Sequence, residues 1–417
     1  MSNWNDAEVR AAFPALGLSD DGVPRLYADA PGGTQVAARC LDRTRQAMVD
    51  QCANEAGRFR TSALTSEWMT TVHAAAAEFV GADADEVLFG LNTTSLLFHF
   101  SHMLAREWQP GDEIVVTRMD HDANVGPWLI AAEERGVTVR WLDVDPQTFQ
   151  YRYDRLGDLI GPRTRLVACN HASNFLGTIS DVARIVAAAR AVGAVTVVDA
   201  VQSAPHFQID VRAIDCDILV SSPYKYFGPH AGLLYVRRAL SERLHPLKIR
   251  PSPDSMPYRH APGTPSFEAQ LGTYGAFEHL AWLGERFGRP AGDSLRARMG
   301  AGLAAATEHE ALLATRFLEG LASLPSIRLY GIGDPAQLQR RVPTFSFTVE
   351  GHEAGAVAQI FAERNIYVWD GSFYAYELAG LFGVYDQGVV RIGFAHYNTL
   401  AEVDHILDVL NGVVRGR

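Results

Sequence analysis

Between about residue 85 and residue 240 the chain repeats one rhythm, and that rhythm limits the fold more than any other feature. Short apolar, β-branched runs stand at Glu86-Phe89, Glu113-Thr117, Thr138-Asp143, Leu166-Asn170, Val195-Asp199, Ile218-Ser221 and Gly232-Val236, with helix-type patterns between them. Alternation of this kind predicts an α/β fold with a mostly parallel sheet, because parallel neighbours need crossover connections that helices supply. In open sheets of this class ligands bind at the carboxyl ends of the strands. Residues just after each run are therefore the first candidates for chemistry.

The rest of the chain fits around that unit. Thr93 to Ala105 is apolar around most of its circumference and opens on Asn92-Thr93-Thr94, so it reads as a buried, capped helix. Beyond a Pro-rich passage, Pro251 to Pro265, the pattern becomes a long amphipathic helix near Glu308-Leu324, then strands at Thr344-Val349, Ile366-Trp369 and Val389-Phe394. Thr399-Leu400-Ala401-Glu402 is a capping box for a last helix with apolar Leu400, Val403, Ile406, Leu407 and Leu410. A chain of 417 residues exceeds one comfortable core. The expected division is an N-terminal segment over 1-25 packing on the small domain, a large domain over 26-285 and a smaller carboxy-terminal α+β domain over 286-417.

Composition excludes several function classes. With 37 Lys and Arg against 48 Asp and Glu the formal charge is −11, which disfavours general attraction to nucleic acid or an anionic membrane. Cys40, Cys52, Cys169 and Cys216 have no CxxC spacing and no Cys/His cluster, so neither a metal site nor a disulfide framework is expected. The N-terminus lacks a basic start followed by an apolar run, and no stretch has the length of a membrane span. These features fit a cytoplasmic protein.

Five strand ends carry candidate groups. After Val195-Asp199 come Asp199 and Gln202, and a carboxylate there can pair with a protonated ring nitrogen or simply cap the next turn. Ser222-Pro223-Tyr224-Lys225-Tyr226 places one lysine among aromatic groups after a buried strand, where desolvation lowers an amine's pKa toward the range of a Schiff-base lysine; the alternative is a snorkelling surface lysine. Gly90-Leu91-Asn92-Thr93-Thr94 leads into a helix whose N-terminus suits a phosphate, though simple capping explains it equally well. His121 and Asn174 follow two further strands, one able to stack on a heterocycle and one to donate to an oxygen, and both residue types are also common in turns. Singly each motif is ambiguous. Together they supply what pyridoxal 5′-phosphate (PLP) requires.

At this point the motifs become recognisable. DHDAN, HASNFLGT, VVDAVQS, SSPYKYFGP and VRIGFAHYNT, in that order along nearly the whole chain, resemble fold-type I PLP enzymes of the class V aminotransferase family, and cysteine desulfurases within it. The resemblance implies Lys225 as the Schiff-base lysine, Asp199 as pyridinium partner, Gln202 and Asn174 near the phenolate oxygen, and His121 stacked on the ring. It implies Thr93, Thr94 and Ser222 at the phosphate, Arg391 on the substrate carboxylate, and a homodimer in which Thr264 reaches the partner subunit's phosphate. Two departures stand out. Tyr224 occupies the position of the family's histidine before the lysine, and no cysteine follows Cys216, so the loop that carries the desulfurase nucleophile reads Trp369-Asp-Gly-Ser-Phe-Tyr-Ala-Tyr376. Without that thiol the expected chemistry is C–S or C–Se lyase-type β-elimination with no enzyme persulfide. Transamination or epimerisation on the same scaffold, with Ser372, Tyr374 and Tyr376 shaping the outcome, and a non-catalytic PLP-binding protein remain open alternatives.

Overall fold

A computed structural model describes residues 4–416. Each of the seven apolar runs becomes a strand: β1 (Val87–Gly90), β2 (Glu113–Thr117), β3 (Thr138–Leu142), β4 (Thr164–Asn170), β5 (Val195–Asp199), β6 (Ile218–Ser221) and β7 (Gly232–Val236). They form one sheet in the order β1-β7-β6-β5-β4-β2-β3. Only β7 runs antiparallel to its neighbours, β6 and β1. Alternate residues serve opposite faces, as the two-residue period of a strand demands. Leu166, Val197 and Val220 enter one buried cluster with Phe100 and Trp128, while Val167, Val198 and Leu219 enter another with Phe79 and Phe277. A sheet buried on both faces needs apolar residues at nearly every strand position, which is why these runs are continuous rather than alternating.

Helices α1 (Ala38–Val49), α2 (Arg60–Val80) and α3 (Thr93–Leu104) precede or interleave with the first strands, and α4 (Phe267–Phe287) packs on α1 and α2. The helix expected near Glu308-Leu324 is α5 (Leu295–Ala322), starting well before the expected position. Its first turns, Arg296-Ala-Arg-Met-Gly-Ala-Gly, are rich in small residues, with Met299 the one large apolar side chain among them. The helix is fixed there by the Ser294 cap and by close backbone approach to α4, where a Cβ added to Gly302 would meet Leu280 O at 2.0 Å. Its apolar residues then serve two cores: Met299 and Leu303 the first, Leu313 and Phe317 that of the second sheet.

The second sheet consists of β8 (Ile327–Tyr330), β9 (Thr344–Val349), β10 (Trp369–Gly371) and β11 (Val389–Gly393), all antiparallel in the order β8-β9-β11-β10. The single run expected over Ile366-Trp369 is divided. Ile366 and Tyr367 pair with Leu26 and Tyr27 from the start of the chain, whereas Trp369 turns to pair with Arg391. The closing helix α6 (Leu400–Val414) has the expected capping box, Thr399 and Glu402 each bonding the other's backbone amide. Its buried stripe is Val403, Ile406, Val409, Leu410 and Val413, while Leu400 is exposed, a position in the first turn that lies off that face. Among the described residues no helix is long and apolar enough to cross a membrane.

Candidate active site

The strand ends open into one cavity of about 340 Å³, and Thr93, Thr94, His121, Asn174, Asp199, Gln202, Ser222, Tyr224, Lys225 and Arg391 all line it. Thr264 does not; it sits exposed in the stretch after Ala261. The convergence follows from topology: β4, β5 and β6 are adjacent and parallel, so the loops after them emerge side by side. Arg391 arrives from the other sheet, in the middle of β11.

Lys225 lies in a single 3-10 turn, Pro223–Lys225, and is buried. Its Nζ donates to Pro31 O at 2.5 Å and Gly32 O at 2.9 Å, with no carboxylate bonded to it. Burial, reinforced by the positive charge of Arg391, brings its pKa down to about 7. Such an amine has a neutral form available near pH 7, as a nucleophile or base must. Asp199 is buried at the end of β5 and accepts from Val201 N at 2.8 Å. Burial raises its carboxyl to about 6, opposed by that amide and by Lys225.

At the opposite end of the cavity Thr93 opens α3. Its hydroxyl shares a 2.6 Å hydrogen bond with Ser222 Oγ and reaches Ser221 O at 3.2 Å, tying the helix start to the end of β6. Asn92 caps the helix by accepting from Ser95 N at 2.8 Å. Thr94 is exposed to the cavity side, so hydroxyls and first-turn amides face the same space, an arrangement suited to phosphate. Tyr224 stacks on His230 with ring centroids 4.6 Å apart, and burial raises its phenol pKa.

His121 accepts at Nδ1 from Ala123 N, 3.0 Å away, so its neutral ring carries the proton on Nε2. Burial, with Lys225 and Arg391 nearby, lowers it to about 4. Gln202 donates to Pro31 O at 2.8 Å, the carbonyl that also accepts from Lys225. Asn174 uses one N–H on Phe373 O at 2.8 Å, and its buried Oδ1 has no partner. Arg391 donates to Asn174 O at 3.0 Å and its guanidinium lies 3.9 Å from the centre of the Phe373 ring. It has no ion-pair partner among the described residues, so its fork is available to a carboxylate.

The site also contains groups that the motifs do not single out. Asp29, beside Arg391 and Lys225, is raised to about 6 by burial, and its Oδ1 has no hydrogen-bond partner. Asp120 is buried in a network in which Thr117 donates to it, Asn124 Nδ2 donates at 2.7 Å, and Tyr151 donates to Asn170 Oδ1 at 2.6 Å. Burial raises Asp120 to about 7, with Asp199 adding to the shift. Of Ser372, Tyr374 and Tyr376, only Tyr374 lines the cavity; Tyr376 packs on Tyr385 in a separate cleft. Asp120 lies inside the DHDAN motif, where Thr117 and Asn124 bond it locally, but its contact with Tyr151 spans 31 residues. Asp29 sits in an irregular turn where no periodicity marks it.

The donor set fits pyridoxal phosphate. Hydroxyls at a helix start, a buried amine, an imidazole and a buried carboxylate all line one cavity, and an unpartnered amide oxygen remains among them. Residues 26–406 match the family model Aminotransferase class-V. The chain belongs to the class V aminotransferases. It is thus a PLP-dependent enzyme, and its architecture is that of fold type I. Among curated relatives it is 33% identical to the aminotransferase-like protein FGM3 of Gibberella zeae, over 99% of each chain. It is 31% identical to a cysteine desulfurase of Salmonella typhimurium, over 98% of each. An apo cysteine desulfurase structure from Thermococcus onnurineus superposes with a TM-score of 0.88 at 26% identity, covering 100% of both chains. The Escherichia coli cysteine desulfurase CsdA gives 0.82 at 27% identity over 99% of both.

Proposed function

We propose that this class V aminotransferase homologue is a lyase that eliminates sulfur or selenium from Cβ of an amino acid, without a persulfide on the enzyme. The observation that carries this reading is the cavity wall: it presents Lys225 and Arg391, but none of the four cysteines lines it. In this reading Thr93, Thr94, Ser222 and Tyr224 hold the cofactor phosphate, His121 covers the ring, Asn174 and Gln202 lie near its phenolate oxygen, and Asp199 keeps its ring nitrogen protonated. Bound pyridoxal phosphate supplies an electron sink next to Cα.

The remaining work falls to the protein. Arg391 orients the substrate by its carboxylate through a two-pronged hydrogen bond. Lys225, neutral in a useful fraction near pH 7, removes the Cα proton and is positioned by the Pro31 and Gly32 carbonyls. Overall, a thioether amino acid and one water give a thiol, pyruvate and ammonium. The Cα–H and Cβ–S bonds break, and sulfur leaves with the bonding pair and is protonated.

A second reading, transamination, is favoured by the aminotransferase-like relative. In either case the enzyme acts in the cytoplasm as a homodimer in which Thr264 of one copy reaches the phosphate of the other. The exposed placement of Thr264, away from its own cavity, supports that arrangement. The test is to incubate the loaded enzyme with cysteine, selenocysteine and S-substituted cysteines while assaying pyruvate, sulfide or thiol, and keto acids. Pyruvate and thiol in equal amounts without a second amino acid are expected. Conversion of bound cofactor to its amine form with no thiol release overturns the lyase reading in favour of transamination.

A further inference from the structure

Where a thiol-bearing loop would stand, the cavity has an aromatic wall, and its construction is specific. Trp369 is the direct cross-strand partner of Arg391 in the β10/β11 pair, so indole and guanidinium share one face of the sheet. The indole also lies against the Asp29–Gly33 turn: a Cβ added to Gly32 would sit 2.9 Å from Trp369 Nε1. Gly32 O in turn accepts from Lys225 Nζ at 2.9 Å. One glycine therefore separates the indole from the reactive amine.

Four and five residues beyond Trp369, Phe373 and Tyr374 both adopt left-handed backbone, with φ of 58° and 57°. Consecutive aromatic residues in that region cost conformational energy and persist only where surroundings hold them. Here the holding bonds come from the cavity itself: Asn174 Nδ2 donates to Phe373 O at 2.8 Å and Asp122 N to Tyr374 O at 2.8 Å. The loop is thus fastened to the site, with the Phe373 ring under Arg391 and Tyr374 beside His121 at 5.4 Å. Yet Trp369 remains 54% exposed and Tyr374 73% exposed. Aromatic side chains that line the cavity beside Arg391 and keep exposed area suit an apolar or aromatic group.

We infer that Trp369, Phe373 and Tyr374 form the pocket for the substrate's β-substituent, and that this substituent is a bulky apolar or aromatic group rather than a bare thiol. The inference rests on the proposed use of Arg391 for the α-carboxylate, which fixes one end of the substrate and sends its side chain along the wall. It names the substrate class as S-aryl or S-alkyl conjugates of cysteine.

The test separates this inference from the elimination chemistry by using amino acids that have no β leaving group. Homophenylalanine replaces the sulfur of S-phenylcysteine with a methylene, and 2-aminobutyrate does the same for cysteine. Each is titrated into the PLP-loaded enzyme, and Kd is read from calorimetry and from the cofactor's absorbance. Homophenylalanine should bind about tenfold or more tightly than 2-aminobutyrate. Trp369→Ala should abolish that preference, read as the ratio of the two Kd values within the variant, so that any shift common to both ligands through Arg391 cancels. Phe373→Leu, which keeps volume but removes the aromatic face, should reduce the preference as well, and melting curves will verify that both variants fold. Equal affinities in the native enzyme, or a preference that survives both substitutions, overturns the inference and assigns the exposed rings to a contact between copies. A preserved binding preference with no thiol release from S-phenylcysteine leaves this inference standing and removes the lyase reading.

Discussion

At the scale of single residues the site depends on what burial does to two charges. Lys225 is brought down to about 7 and Asp199 up to about 6, so both titrate near neutrality and each opposes the other's shift. Lys225→Ala removes the only amine in the cavity and should lower turnover by about 10²–10⁴-fold, the usual contribution of a positioned base, together with loss of the cofactor's Schiff-base absorbance. Turnover near the native rate would assign proton transfer to another group. Asp199→Asn preserves shape and the hydrogen bond from Val201 but cannot hold a ring nitrogen positive. Cofactor should remain bound while the rate falls by about tenfold or more for each pKa unit the ring loses. A native rate in that variant, measured at saturating cofactor, would mean that Asp199 only caps its turn.

At the scale of elements, a strand end is legible in sequence because period and position coincide. Asp199, Lys225 and Asn174 could all be placed at one sheet edge from their location just after apolar runs, and the structure puts them in one cavity. What sequence could not convey was pairing over long separations. The division of Ile366-Trp369 between two partners depends on Leu26 and on Arg391, neither of which is visible in the local pattern. Asp29 is likewise buried by groups from the far end of the chain. The start of α5 escaped because its small residues pack through backbone approach. The helix start at Thr93 offers an element-scale test. Asn92 Oδ1 accepts from Ser95 N, and the Asn92 backbone N–H donates in return to the Ser95 hydroxyl at 3.3 Å. Asn92→Ala should destabilise the protein by about 1 kcal/mol and weaken cofactor retention, because the fraying turn carries the Thr93 and Thr94 hydroxyls. Unchanged cofactor affinity by equilibrium dialysis would separate the cap from the phosphate site.

At the scale of the whole molecule the buried histidines set the response to acid. His279 Nε2 and His396 Nε2 share a 3.0 Å hydrogen bond in a pocket closed by Phe13 and Phe227, with Arg39, His206, His309 and the His206–Glu310 pair around it. Burial lowers His279 to about 3, and burial with the neighbouring imidazoles holds His396 well below the ordinary value of 6.5. His73, His121, His171 and His260 are each brought down to about 4 in the same way. Between about pH 6.5 and pH 4 the unfolded chain therefore binds protons at these rings that the folded protein refuses, and stability must fall as pH falls through that window. Asp29, Asp120 and Asp199 act in the opposite sense, since their raised values let the folded state take up protons first. His99 is lowered by burial as well and Asp122 raised, so seven depressed histidines outnumber four raised aspartates and the net slope is toward unfolding. Denaturant midpoints of the cofactor-free protein should decline steadily from pH 6.5 to pH 4.5. Replacing His279 with Gln, which keeps a hydrogen-bonding group at Nε2 but cannot take a proton there, should flatten that decline by about one proton's worth, roughly 1.4 kcal/mol per pH unit. An unaltered slope in the variant would show that the paired rings are not what acid attacks.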